Sequence, residues 1–388
     1  MEAKADAREH LEAKRDALIA LSHRIHAHPE LGYEEVRASA WLAELLRAGG
    51  FAVEAGICDL PTAFRARVGA GPLHLVICAE YDALPGIGHA CGHNLIAAMA
   101  AGAGLALAPL ADDLGMTVTV MGTPAEEIGN AAGKVLLLER GAFDGAHAAM
   151  MVHPGTHDNI APKLIAGAMF SIGYIGKSAH AAAHPELGIN AADALTIAQV
   201  AIGLLRQHIR GNDRIHGIVT DGGDAPNIVP AHAGARYILR SDTFAELHEL
   251  IPRVFRCFEA GALATGATLS ITGGDKPYAQ VQQDEELAAL YRTNAEALGR
   301  VFEAHPTVAS TDMGNVSLVI PTIHPMIGID ALPAVNHQPE FTAACATPAA
   351  DQAIFDGALA MAWTAIDAAT SGALRERLLA HPYAPAAL

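Results

Sequence analysis

Three short apolar runs, Leu73–Ala79, Met116–Met121 and Ala148–Val152, each lead into loop residues and are separated by helix-like segments rich in Ala, Leu and Gly. That alternation predicts a parallel α/β sheet, since strands joined by helical crossovers pair in parallel. The pattern changes after Ala168: strand Ala168–Ile175, helix with Leu195, Ala198, Ile202, Leu205 and Ile209 on one face, strands Ile215–Val219 and Ala233–Leu239, helix with Leu247, Leu250, Val254 and Phe258, strand Thr268–Thr272. This βαββαβ order predicts a ferredoxin-like domain. Pro252 falls inside the second helix pattern, where an interior proline removes a hydrogen bond and kinks the chain. The α/β pattern resumes after Gly273-Gly274-Asp275-Lys276-Pro277, so the small domain (167–276) is expected as an insertion into a larger one (1–166 and 277–388). A chain of 388 residues has the length for two cores.

Upstream, Leu11, Leu18, Leu21 and Ile25 predict one face of an opening helix, ended by His28-Pro29-Glu30-Leu31-Gly32. The net charge of -17 and the absence of a Lys/Arg cluster interleaved with aromatics argue against nucleic acid and anionic lipid as partners. No apolar stretch reads as a membrane span; Leu95–Leu110 comes nearest, and its Ala and Gly suit a close-packed buried helix. Five widely spaced cysteines without a secretion signal make a disulfide framework improbable, and a cytoplasmic location is the expectation.

Chemistry-bearing residues gather where the apolar runs end. His89-Ala90-Cys91-Gly92-His93-Asn94 offers a thiolate and an imidazole at a strand-to-helix junction, where ligands converge in open α/β sheets. Alone, the pair also suits a buried thiol beside a capping histidine. Gly122-Thr123-Pro124-Ala125-Glu126-Glu127 places adjacent carboxylates after the second run. One such acid can coordinate a cation while its neighbour takes a proton from water, although two solvated acids opening a helix are the plainer alternative. His153-Pro154 ends the third run, and Asn336-His337-Gln338-Pro339-Glu340-Phe341 adds a late histidine. Independent coincidence at every one of these places is hard to sustain.

From Arg24-Ile25-His26-Ala27-His28-Pro29-Glu30-Leu31, through the 79–94 segment with its Tyr81-Asp82-Ala83-Leu84-Pro85 turn, the 122–127 segment and Ser310-Thr311-Asp312-Met313-Gly314-Asn315-Val316-Ser317, to His337 and Phe341, the chain resembles the M20 metallopeptidases. The likeness is to their amidohydrolase branch, and within it to the dipeptidases and N-acyl-amino-acid hydrolases. It implies a pair of divalent ions held by Cys91, His93, Glu127, His153 and His337, with Cys91 bridging and Glu126 as general base. Zinc or manganese is implied, with cobalt or nickel able to substitute; thiolate favours zinc and carboxylate suits manganese. Asp82 resembles the acid that supports a ligand from behind. His180, within Gly176-Lys177-Ser178-Ala179-His180-Ala181-Ala182, resembles the histidine that steadies the oxyanion in a partner subunit. Asn227, within Pro226-Asn227-Ile228-Val229-Pro230, resembles a substrate-binding position, and Arg240 is expected to follow the next strand, where a cation could meet a substrate carboxylate. A homodimer through the inserted domain, which would also act as a lid, follows by analogy. One departure is Asn94, where many members of the branch carry Asp. His89, His157, His184 and His324 match no ligand position.

The resulting expectation is hydrolysis of the amide bond of an N-acyl amino acid or small dipeptide. Alternatives are a carboxypeptidase acting on p-aminobenzoyl-glutamate, a mononuclear metalloenzyme such as a deaminase, and a metal-binding scaffold. An intact Glu126 beside the ligand set argues against the scaffold.

Overall fold

The computed structural model describes residues 2–128, 132–303, 305 and 308–380. Two compact units emerge, Met1–Leu164 with Val281–Leu388, and Ile165–Gln280. The second unit is two residues longer at its start and four longer at its end than the 167–276 span read from sequence.

The first unit is built on a six-stranded sheet in the order Ala52–Ala55, Phe64–Val68, Met116–Gly122, Leu73–Ala79, Ala148–Met150, Thr322–Ile323. The last three strands run parallel to Met116–Gly122 through successive neighbours, and the first two are antiparallel additions. Every residue of Leu73–Ala79 and Met116–Gly122 is buried, the consequence of helices covering both faces of a parallel sheet. All residues of the helix His93–Leu107 are buried as well, beneath the helices Glu2–Glu12, Arg15–His26 and Pro348–Thr370. The stretch His93–Leu110 is long and apolar enough to cross a membrane, yet 83% of it lies inside the protein core.

Two local expectations change. The opening helix is two helices, Glu2–Glu12 and Arg15–His26, which lets Leu11 and Leu18 both reach the core from different axes. The third run stops at Met150, and His153 begins a separate short strand, His153–Gly155, paired in parallel with Met326–Gly328.

In the second unit the strands stand in the order Thr268–Gly273, Ala166–Ile175, His232–Ser241, Arg214–Asp221, each pair antiparallel. The helices Ala191–Leu205 and Phe244–Thr265 pack on this sheet, giving the expected βαββαβ order. Phe244–Thr265 runs continuously through Pro252, so the interior proline does not end the helix. Pro252 is exposed, while Leu247, Leu250, Val254 and Phe258 hold the opposite face on the sheet. The carbonyl left unpaired by the missing N–H therefore lies on the side where water can serve it. A capping box between Thr243 and Glu246 starts the helix, and left-handed Gly266 ends it.

Candidate active site

The parallel strands of the first unit deliver their loops to one edge, as open α/β sheets do. After Leu73–Ala79 the chain passes through Glu80, Asp82 and Cys91 before the helix begins at His93; after Met116–Gly122 it turns at Glu126 and Glu127. Gly92 separates Cys91 from His93 with φ +80, and a Cβ there would stand 2.4 Å from Pro154 Cγ. Only glycine allows that tight reversal, which turns two residues so close in sequence towards the same space.

Cys91, His93 and His153 bring one donor atom each to within 4.8 Å of one another, and so do Cys91, Glu127 and His337, and His93, Glu126 and Glu127. Cys91 Sγ lies 3.4 Å from His153 Nε2, and His337 Nε2 lies 3.3 Å from Glu127 Oε1. The histidines are oriented from behind. His93 Nδ1–H donates to Asp82 Oδ1 at 2.9 Å, and His153 Nδ1–H donates to the Pro154 carbonyl at 2.7 Å. Each ring therefore turns an Nε2 lone pair inward. Asp82 Oδ2 also accepts the Glu127 amide at 2.9 Å, tying the two loops together. His337, at φ +69, is held by its own amide, which donates to the Ala90 carbonyl at 2.8 Å.

His93 Nε2 and Glu127 Oε1 are buried with no hydrogen-bond partner among the described residues. Orphaned buried donors and acceptors are costly unless something else serves them. With a thiol, imidazoles and carboxylates converging on the same space, the donor set fits divalent cations. Burial, then the charges of Glu127, Glu80 and Asp312, raises the Glu126 carboxyl well above the ordinary range. Against the effect of burial, His93 holds the Asp82 carboxyl below its usual value. Burial pushes His153 down to about 4, so it stays neutral and available as a ligand.

A buried charge cluster behind this site was missed by sequence reasoning. Lys134 Nζ donates to Glu80 Oε1 at 2.5 Å and to Asp312 Oδ1 at 2.6 Å, while the Lys134 amide donates to Asp312 Oδ2 at 2.9 Å. All three side chains are at most 1% exposed. Glu80 Oε2 stands 3.4 Å from His93 Nε2, so the cluster borders the donor set directly. The available signal was a lysine directly before the apolar segment Val135–Leu138, where an unpaired cation is improbable. His324 also lies close, its ring stacked on His153 with centroids 5.6 Å apart; burial pushes it down to about 3. Asn94 points away from the donors: its Nδ2 donates to Ser22 Oγ at 2.8 Å and to the Cys345 carbonyl at 3.0 Å, bonds an aspartate could not make.

His180, Asn227 and Arg240 belong to the second unit. His180 is exposed, and its Nδ1 accepts the Ala182 and Ala183 amides at 3.3 and 3.1 Å. The Asn227 carbonyl accepts the Ala181 amide at 3.0 Å, which brings the two predicted loops together. Arg240 lies inside the strand His232–Ser241 rather than after it.

A profile of Peptidase family M20/M25/M40 matches residues 76–351. The chain is 39% identical to the Xaa-Arg dipeptidase of Mus musculus, over 96% of this chain and 90% of that protein. It is 30% identical to a p-aminobenzoyl-glutamate hydrolase polypeptide of Escherichia coli K12, over 79% and 69%. The fold is shared with a Bacillus subtilis structure described as a dinuclear metal binding peptidase of the M20 family, at TM-score 0.69 and 22% identity, over 92% of this chain and 98% of that one. By that profile and those relatives the chain belongs to peptidase family M20/M25/M40 and is a hydrolase of amide bonds.

Proposed function

We propose that the protein is a metal-dependent dipeptidase, cleaving a small dipeptide whose C-terminal residue is basic, with Glu126 as general base. The observation that carries the metal-dependent mechanism is the convergence of Cys91, His93, Glu127, His153 and His337 around Glu126. Cys91, like His93 and Glu127, belongs to two of the donor groups, and as a thiolate it would be the ligand shared by two ions, zinc or manganese. Divalent cations held there supply the Lewis acidity that polarises an amide carbonyl and makes water acidic enough to react near neutral pH. Glu126 accepts the attacking water's proton and returns it to the leaving nitrogen, which departs as an amine. Asp82 keeps His93 in the tautomer whose Nε2 can ligate. The substrate class is supported by the Mus musculus relative, named for Xaa-Arg cleavage and matched over nearly the whole chain.

Xaa-Arg and Xaa-Lys dipeptides, N-acyl amino acids and p-aminobenzoyl-glutamate, offered to metal-loaded protein with products read by mass spectrometry, test this reading. Preferred release of arginine or lysine supports it; preference for p-aminobenzoyl-glutamate replaces it with the carboxypeptidase alternative. Cys91→Ala is expected to lose bound metal, because a thiolate ligand common to two of the three donor groups is removed. Wild-type stoichiometry in that variant, by elemental analysis, would make Cys91 an ordinary buried thiol.

The same proposal includes a homodimer through the second unit. Its strand Arg214–Asp221 ends the sheet with Ile218 and Val219 exposed at 64% and 51%, and the helix Ala191–Leu205 leaves Val200 and Leu204 exposed at 60% and 70%. Unpaired edges and apolar side chains of this kind suit a second copy. His180, with Nδ1 accepting backbone amides, carries its proton on Nε2, the donor form that an oxyanion in the partner requires. Mixing His180→Ala with Glu126→Gln subunits should then restore about a quarter of wild-type turnover, since random exchange makes about half the dimers mixed, each with one complete site. Mixed dimers, verified by native mass spectrometry, that stay as inactive as their parents would rule out action in trans.

A further inference from the structure

The segment His28–Glu35 reads in sequence as helix punctuation, yet it backs both loops that lead to the candidate site. The Ala83 amide donates to the Glu30 carbonyl at 2.8 Å, immediately after Asp82. Gly32 lies against the other loop: a Cβ there would stand 2.5 Å from Ile128 Cδ1 and 3.0 Å from Ala125 Cα. Tyr33 turns the chain in the left-handed region, φ +65, and Glu35 then enters the core with no solvent exposure. Its Oε1 accepts the Ala125 amide at 2.8 Å. Ala125 itself has φ +60, a left-handed conformation that a residue with a Cβ adopts only when its surroundings hold it. The hydrogen bond to Glu35 is what holds it, and Glu126 is the next residue.

We propose that Glu35 is a positioning residue for Glu126, fixing the strained Ala125 backbone from behind so that the base carboxyl is aimed before substrate arrives. This rests on the reading of Glu126 as base. Glu35 does not reach the reacting atoms; its effect passes through one amide. Burial, then the nearby Asp82 charge, pushes its carboxyl up to about 7, so Gln, which keeps length, volume and a carbonyl acceptor, is a close mimic of its neutral form. Asp keeps the chemistry but withdraws the acceptor by one methylene, beyond reach of the amide.

Glu35→Asp and Glu35→Gln, compared with wild type as metal-loaded protein, provide the test, with hydrogen exchange at the Ala125 amide, metal content, kcat and KM as readouts. In Glu35→Asp, exchange at Ala125 should accelerate on the order of tenfold or more, the mark of a lost local hydrogen bond. Its kcat should fall on the order of 10–10², the cost of misplacing a catalytic group by about 1 Å, with KM within a few-fold and metal unchanged. Glu35→Gln should match wild type in exchange and kcat within a few-fold. A merely structural role would move metal content, KM and kcat together in both variants, and that result overturns the proposal. So does unaltered Ala125 exchange in an active Glu35→Asp enzyme, which leaves the hydrolase reading intact. Should metal-loaded wild type cleave no amide while the exchange pattern holds, the assignment of Glu126 as base fails and the positioning role fails with it.

Discussion

Glu126→Gln is expected to keep its metal and lose on the order of 10²–10⁴ in kcat, the range for removing a positioned acid/base group. The amide is nearly isosteric with the carboxyl, so packing in this buried position is preserved, but it cannot take up a proton. The ligand donors proposed for the ions belong to Cys91, His93, Glu127, His153 and His337, and each remains in place. Elemental analysis should therefore give wild-type stoichiometry alongside collapsed turnover. Near-normal kcat in a fully loaded variant would dismiss Glu126 as the base. Loss of metal would instead make it a ligand.

The second large effect is on stability. Lys134→Met removes the ammonium hydrogen-bonded to both Glu80 and Asp312 and leaves two carboxylates buried beside each other. Breaking a buried ion pair from one side costs about 3–5 kcal/mol, because the remaining charge keeps its desolvation penalty without its partner. Burial tends to raise the carboxyl of Glu80, and attraction to Lys134 holds it below the ordinary value. In the variant that attraction is gone, so both carboxyls shift upward and take protons from solvent more readily in the folded than in the unfolded chain. A group raised in this way costs stability above its unfolded value and regains it as pH falls. The deficit relative to wild type should thus be largest at neutral pH and shrink on acidification towards pH about 4, where carboxylates ordinarily titrate. Chemical denaturation of metal-free protein across that interval measures it; a pH-independent deficit would mean that lost packing, not charge, is responsible.

The candidate site residues were legible because they stand in short local motifs at strand ends: Cys91 and His93 flank one glycine, and Glu126 and Glu127 are neighbours. Their grouping follows from the α/β architecture, which gathers such ends at one edge. The small domain was equally legible, since its apolar runs follow in βαββαβ order, and along His232–Ser241 buried positions alternate with less buried ones. What escaped was non-local. Lys134 meets Asp312 across 178 positions of sequence and Glu35 meets Ala125 across 90, and no periodicity marks such pairs. The break between the opening helices and the continuity through Pro252 were decided by tertiary packing over local preference. Arg240 was misplaced for a related reason: strand ends are the least legible part of a hydrophobic pattern.

The insertion also governs the order in which a nascent chain can acquire its parts. Ile165–Gln280 is contiguous and carries its own apolar core, so it has all it needs to close while the ribosome is still at work. The first unit cannot do the same. Its buried helix His93–Leu107 waits for the cover of Pro348–Thr370, and Asn94 waits for the Cys345 carbonyl. His337, which stands beside Glu127, is translated only after the insertion is complete. Until then a growing polypeptide displays a thiol, two imidazoles and the Glu127 carboxylate but not the full proposed donor set, so under the proposed function ion capture would belong to the end of biosynthesis, after the inserted module has matured.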